Sequence, residues 1–221
     1  MKLLIDALIK FISGFILLSL LLFLPAGTIR FPGAWRFMAL LFIPMLALGI
    51  VLYVKEPELL KKRLSSKESS DVQKKVLAIS AIEFILCFVV AGLDHRFGWS
   101  KLPLWLIVLA CIMFIASYAL YAEVMRENAY LSRTVEVQKG QKVISTGLYA
   151  IVRHPMYFAV VLLFYAMPLV IGSLYSFLIM LPFPLLLVKR IKDEEKILEE
   201  GLPGYTEYEQ KVRYRLIPFI W

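Results

Sequence analysis

Two short stretches of this sequence hold most of the side chains able to do chemistry. One is Gly147 to Tyr157, reading GLYAIVRHPMY; the other, further along, is Asp193-Glu194-Glu195. Both lie where polar residues meet long apolar runs. Pro155 suits the first turn of a helix, because its φ is fixed and its missing N–H is not needed there. His154 then falls at the N-cap, and the apolar helix that follows begins at a membrane surface. The unpaired N–H groups and positive dipole of that helix end make a site for an anionic group. Arg153, His154, Tyr157, Glu194 and Glu195, if gathered, would supply cations, anions and aromatic rings. That set suits a zwitterionic, aromatic-bearing cofactor beside an acceptor held at lipid level. The same residues also read as snorkelling and solvated charges with an aromatic belt of Tyr149 and Tyr157, and spacing alone leaves both readings open.

The elements that must position them follow from composition. The chain has 221 residues, 60% of them hydrophobic, and a mean hydropathy of +0.75, so we expect an all-α integral membrane protein. Long apolar runs span Leu3 to Leu24, Trp35 to Val54, Val76 to Leu93 and Leu102 to Tyr121. Asp6 and Lys10 inside the first run argue against a cleaved signal peptide. The fifth run, Met156 to Val188, has 33 residues. As one helix it would extend about 50 Å, against a hydrocarbon core of about 30 Å. Pro168, Gly172, Pro182 and Pro184 interrupt it, and a reversal at Gly172-Ser173 makes it a short hairpin. That gives about six transmembrane helices.

The net charge of +8 is concentrated in Lys55 to Lys75, Ala122 to Arg153 and Lys189 onward. By the positive-inside rule these segments are cytoplasmic, which six crossings satisfy. Lys55 to Lys75 reads as a short surface helix and a flexible turn. In the tail, Tyr208, Val212 and Leu216 form one stripe of an amphipathic interfacial helix that Pro218 ends. Residues 1–122 thus form a four-helix transmembrane region and 123–221 a second module. A nucleic-acid partner is not expected, since no soluble basic face carries interleaved aromatics. Cys87 and Cys111 lie in apolar runs and the imidazoles are His95 and His154, so no metal site is expected. Glu83 is the acid well inside the third run; it reads as functional, or as a protonated or hydrogen-bonded structural contact.

GLYAIVRHPMY, Asp193-Glu194-Glu195-Lys196-Ile197-Leu198 and Gly204-Tyr205-Thr206-Glu207-Tyr208, in that order, resemble the C-terminal module of the isoprenylcysteine carboxyl methyltransferase and phospholipid methyltransferase superfamily. The resemblance covers roughly Asn128 to Trp221. It implies S-adenosylmethionine bound at the cytoplasmic interface, with the hairpin as floor and the tail as lid. Gln141, Val143, Ile144, Gly147 and Tyr149 would line the cofactor site, with His154, Pro155 and Tyr157 as its wall. Glu194 and Glu195 would engage the amine or ribose hydroxyls. The acceptor would be a lipid or lipid-linked carboxylate or amine. Arg153 would orient a carboxylate, and Glu195 would serve an amine as base. Glu83 and Arg215 are further candidates on the substrate side. Ala159 and Gln141 depart from the family pattern, which commonly has Gly and His there. Val212 to Pro218 also resembles the tail of NADPH-dependent membrane sterol reductases, and a non-catalytic membrane scaffold is a third reading. The acceptor and the oligomeric state are not legible.

Overall fold

The computed structural model describes residues 2–64, 70–132 and 134–221. Their regular structure is helical: α1 (Lys2–Ala26), α2 (Pro32–Lys55), α3 (Pro57–Leu64), α4 (Asp71–Phe97), α5 (Leu104–Glu127), α6 (Pro155–Ile171), α7 (Leu174–Met180), α8 (Phe183–Gly201) and α9 (Tyr205–Lys211), with a 3-10 turn at Gly147–Ala150. Helices α1, α2, α4 and α5, and the run Leu174–Gly201 formed by α7 and α8, are long and apolar enough to cross a membrane. This is an all-helical integral membrane protein. Helix α6 is apolar but has only 17 residues, about 25 Å of helix.

Local signals account for the boundaries. Pro155 occupies the first turn of α6 with His154 as N-cap, and Gly172 caps its other end at φ 100°, as the Gly172-Ser173 reversal requires. Ser173 then caps α7 by accepting from the Ser176 N–H. The second limb of the hairpin is not one helix, because Pro182 and Pro184 cannot donate backbone bonds across Leu181-Pro182. Beyond that break α8 runs without interruption from its apolar start into the charged Lys189–Glu200 stretch. Helix α3 forms where a surface helix was expected, with Glu58 in its first turn and Lys61, Lys62 and Arg63 in its last, matching its dipole. The turn expected after it falls on residues 65–69, outside the described residues.

Packing fixes the hairpin against the rest. Helix α6 lies along α5 and touches α2, while α4 contacts α1, α7 and α8. Gly33 lets α2 approach α6 closely: a Cβ there would stand 1.8 Å from the Ile171 carbonyl oxygen. At the reversal end, buried Asp94 accepts from the Ser100 N–H at 2.7 Å and from the Ser100 and Ser173 hydroxyls. Arg36 donates to the Val170 carbonyl at 2.9 and 2.6 Å. At the opposite end, the Gln73 amide donates to Asp193 at 2.8 Å and to the Arg190 carbonyl at 3.0 Å, and the Ser70 hydroxyl donates to Asp193 at 2.8 Å. These bonds set how α8 is rotated about its axis.

The tail departs from the expected amphipathic helix. Tyr208, Val212 and Leu216 are all buried, but α9 stops at Lys211. Beyond it the backbone is extended, and the Tyr214 and Arg215 carbonyls accept the Arg153 and His154 N–H groups at 2.9 and 2.8 Å. A helix continued to Pro218 would have bonded those carbonyls internally and left the two N–H groups at the start of α6 unsatisfied.

Candidate active site

Consecutive residues on a helix point about 100° apart, so Asp193, Glu194 and Glu195 face three ways. Asp193 holds α4, as above. Glu194 faces a cavity, where its Oε2 accepts from the Tyr157 hydroxyl at 2.5 Å. That phenol oxygen in turn accepts from Arg190 Nε at 2.9 Å. Glu195, 2% exposed, faces the tail. Its Oε1 accepts from Arg153 Nε at 2.8 Å, with Arg153 Nη2 also at 2.8 Å and His154 Nε2 at 3.1 Å. Its Oε2 accepts from Arg215 Nε at 2.6 Å. Arg153 also reaches Glu209 at 3.3 Å and the Val212 and Glu209 carbonyls at 3.3 and 3.4 Å. The core of this network is a buried ion cluster that joins the start of α6, the end of α8 and the tail.

The cavity has an empty volume of about 830 Å³, opens to the surface, and lies between the 128–149 loop, the start of α6, α8 and α9. Of the residues singled out from the sequence, Gln141, Val143, Ile144, Tyr149, Arg153, His154, Tyr157 and Glu194 line it. Gly147, Pro155 and Glu195 are not among its lining residues. Arg215 is bound to Glu195, and Glu83 sits on α4, half-buried and away from the lining. Gln141 turns its Oε1 to the Gln138 N–H at 2.8 Å. Ala159 is buried within α6.

Gly147 is required where it stands. Its φ is +54°, and a Cβ there would fall 1.7 Å from Glu127 Oε1. The Glu127 carboxylate is close because it accepts the Leu148 N–H at 2.9 and 3.2 Å, pinning the 3-10 turn to the end of α5. That turn presents Tyr149, whose hydroxyl accepts from Asn128 Nδ2 at 2.9 Å and whose carbonyl accepts from the Tyr208 hydroxyl at 2.7 Å. Burial pushes the Tyr149 phenol up to about 12, against the Asn128 hydrogen bond, which lowers it. Burial raises Tyr208 and Tyr205 further, and the nearby carboxylates of Glu195 and Glu194 add to the shift at Tyr205. In the same tail, burial also lifts the Glu209 carboxyl above its ordinary value, although Arg153 acts in the opposite sense.

Sequence reading did not single out Asn128, Glu136, Arg190, Tyr205 or Tyr208 as site residues, yet all five line the cavity. A signal existed for some. Arg190 precedes Glu194 by four helical positions and Tyr205 precedes Tyr208 by three, spacings that share a face. Glu127 and Asn128 carried none, because their partners lie beyond a loop. The Tyr205 hydroxyl is buried with no hydrogen-bond partner among the described residues. A buried phenol left so is costly, which makes it a natural donor to a ligand.

Two comparisons bear on this site. Residues 107–200 match the family model described as the isoprenylcysteine carboxyl methyltransferase (ICMT) family. A stretch of 91 residues is 30% identical to the Delta(14)-sterol reductase of Mus musculus, covering 40% of this chain and 22% of the reductase. The chain thus spans about a fifth of the length of that curated relative. The family match contains both the Arg-His-Pro-x-Tyr motif and the Glu194–Glu195 pair, so residues 107–200 of this chain, which hold both halves of the site, are similar to the isoprenylcysteine carboxyl methyltransferase family.

Proposed function

We propose that the protein is an S-adenosylmethionine-dependent methyltransferase that acts on a lipid or lipid-linked acceptor at the cytoplasmic face of its membrane. The carrying observation is the cavity itself. The Arg-His-Pro-x-Tyr motif, Glu194 and the tail tyrosines converge at the ends of apolar helices around one open cavity. In this reading the chain crosses the membrane six times, with α6 and the α7–α8 limb as a hairpin and the basic segments inside. Residues 123–221 act as the catalytic module.

The lining fits the cofactor. S-adenosylmethionine carries a sulfonium, an ammonium and a carboxylate together with a purine and ribose hydroxyls. Glu194 and Glu136 offer charge to its cationic part, and Tyr205 offers an uncommitted hydroxyl. Apolar Val143, Ile144, Leu198 and Leu202 line the rest of the wall. When bound, the cofactor supplies an electrophilic methyl group. The chain's own residues align the acceptor opposite that methyl and exclude water. Arg153 and Glu195 act here as positioning residues. Their ion cluster clamps the tail over the cavity, and Glu195, surrounded by Arg153, His154 and Arg215, is a weak base for an amine acceptor.

The similarity to the Delta(14)-sterol reductase of Mus musculus keeps an NADPH-dependent reductase as the second reading. Charge weighs against it. A dinucleotide phosphate is a polyanion, whereas among the lining cations Arg153 is already paired with Glu195 and Glu209, and Glu136 and Glu194 face the cavity beside Lys142 and Arg190. Equilibrium binding of labelled S-adenosylmethionine and of NADPH to the purified protein, with Glu194→Gln as control, separates the two. Saturable S-adenosylmethionine binding weakened in the variant supports the proposal. NADPH binding alone would transfer the assignment to the reductase, and binding of neither would leave a membrane scaffold.

A further inference from the structure

Helices α1 and α2 pack closely through Leu18, Leu22, Met38 and Phe42, with Phe11 and Phe15 edge-on to the Phe42 ring at 5.3 and 5.1 Å. Just beyond Phe42, α2 contains Pro44, which cannot donate to the carbonyl four residues back. From Met45 onward the two helices leave a groove of about 1050 Å³ between them. Leu4, Leu8, Leu46 and Ile50 line it, together with Leu60 and Leu64 of α3. Gly49 sits in it as a notch, since a Cβ there would meet nothing within 4 Å.

The sides are open: Leu8 is 44% exposed and Ile50 57%, on helices apolar enough to span a membrane. One cation belongs to this lining. The Lys10 ammonium donates to the Leu64 carbonyl at the end of α3. It forms no ion pair with a carboxylate among the described residues, and Asp6, one turn earlier, is not part of the lining.

We propose that this groove is a binding site for one anionic phospholipid, with a hydrocarbon chain along Gly49 and the phosphate at Lys10. The alternatives fit less well. The lining offers no polar set for a water-soluble ligand. A helix from a second copy would bury Lys10 against apolar side chains at substantial cost. A phospholipid places apolar chain against apolar wall and opposite charges together, and its headgroup stays at the depth to which a lysine snorkels.

The site also has a structural reach. The same α3 that presents Leu60 and Leu64 to the groove sends Lys62 to the Ala129 carbonyl at 3.5 Å and Arg63 to the Ser132 carbonyl at 3.1 Å. Ser132 lines the cavity described above. A lipid seated in the groove therefore braces the helix that holds the cavity's loop. The binding proposal does not depend on the reaction assigned to that cavity.

Native mass spectrometry of the whole protein released from detergent tests it, with phosphatidylglycerol and phosphatidylcholine of identical chains titrated in turn. We expect one phosphatidylglycerol retained with a preference of about fivefold, the scale of a single lysine near a headgroup. Lys10→Gln, which keeps a donor for the Leu64 carbonyl, should abolish the preference. Gly49→Phe, which fills open space and should leave the circular dichroism spectrum unchanged, should cut retention of both lipids. Equal retention of the two lipids by the wild type would overturn the proposal. So would undiminished retention in a folded Gly49→Phe variant.

Discussion

Replacing Glu195 with glutamine tests the ion cluster most sharply. The substitution keeps the volume but removes the charge that Arg153, His154 and Arg215 share, and it turns an amide NH2 toward at least one of these groups. Arg153 is 7% exposed, so its guanidinium cannot recover the loss from water. Removing one partner of a buried pair costs about 3–5 kcal/mol. Arg153 keeps Glu209 at 3.3 Å and two backbone carbonyls, and Arg215 is about a third exposed, so we place the cost at the low end, about 3 kcal/mol. The cluster holds the tail, so the energy should appear as local opening of residues 205–221. The opened population should rise about a hundredfold. Lys211 and Arg213 are exposed, and trypsin cleavage there, followed over time in detergent and in lipid, reads that opening. A Glu195→Gln protein whose tail resists trypsin as the wild type does would refute the assignment of Glu195 as the tail's anchor.

Three further outcomes follow from the same geometry. Tyr205→Phe should leave thermal stability unchanged or raise it slightly, because it deletes a buried hydroxyl without a partner. The same change should weaken S-adenosylmethionine binding by about tenfold, the scale of one hydrogen bond, as titration calorimetry would read. Gly147→Ala should destabilise by more than about 1 kcal/mol, since φ is positive and the Cβ strikes Glu127; denaturant midpoints check this. Tyr149, Tyr205 and Tyr208 have folded-state pKa values raised by burial. Their contribution to stability is therefore complete below the ordinary tyrosine value of about 10 and is lost as pH rises through the folded-state values, about 12 for Tyr149. Ultraviolet titration should show a tyrosinate fraction that appears only with tail release, and Tyr149→Phe should shrink it.

How much of this could be read from the chain depends on the range of each interaction. The apolar runs announced their helices because burial in lipid demands them, and Gly172 marked the reversal because a left-handed cap leaves few alternatives. The break at Leu181-Pro182 was visible only as prolines. The tail was misjudged in an instructive way. Its stripe of Tyr208, Val212 and Leu216 is indeed buried, but the backbone that carries it is claimed by Arg153 and His154, residues some sixty positions earlier. Local periodicity cannot see a partner at that separation. The carboxylate triplet was legible as a cluster but not as a division of labour, because the rotation of α8 is set by Gln73 and Ser70. For the same reason the bonds of Glu195 to Arg153, His154 and Arg215, on which the proposed anchoring role rests, could not be read from the triplet.

The most direct test of the proposed activity is transfer of label from S-adenosylmethionine carrying a radioactive methyl group, using the protein in liposomes made from a membrane lipid extract. We predict label in the organic phase that grows with time and falls sharply with Glu194→Gln, whose side chain lines the cavity without carrying the tail's ion cluster. Lipid that stays unlabelled while the same liposomes consume NADPH would contradict the methyltransferase assignment.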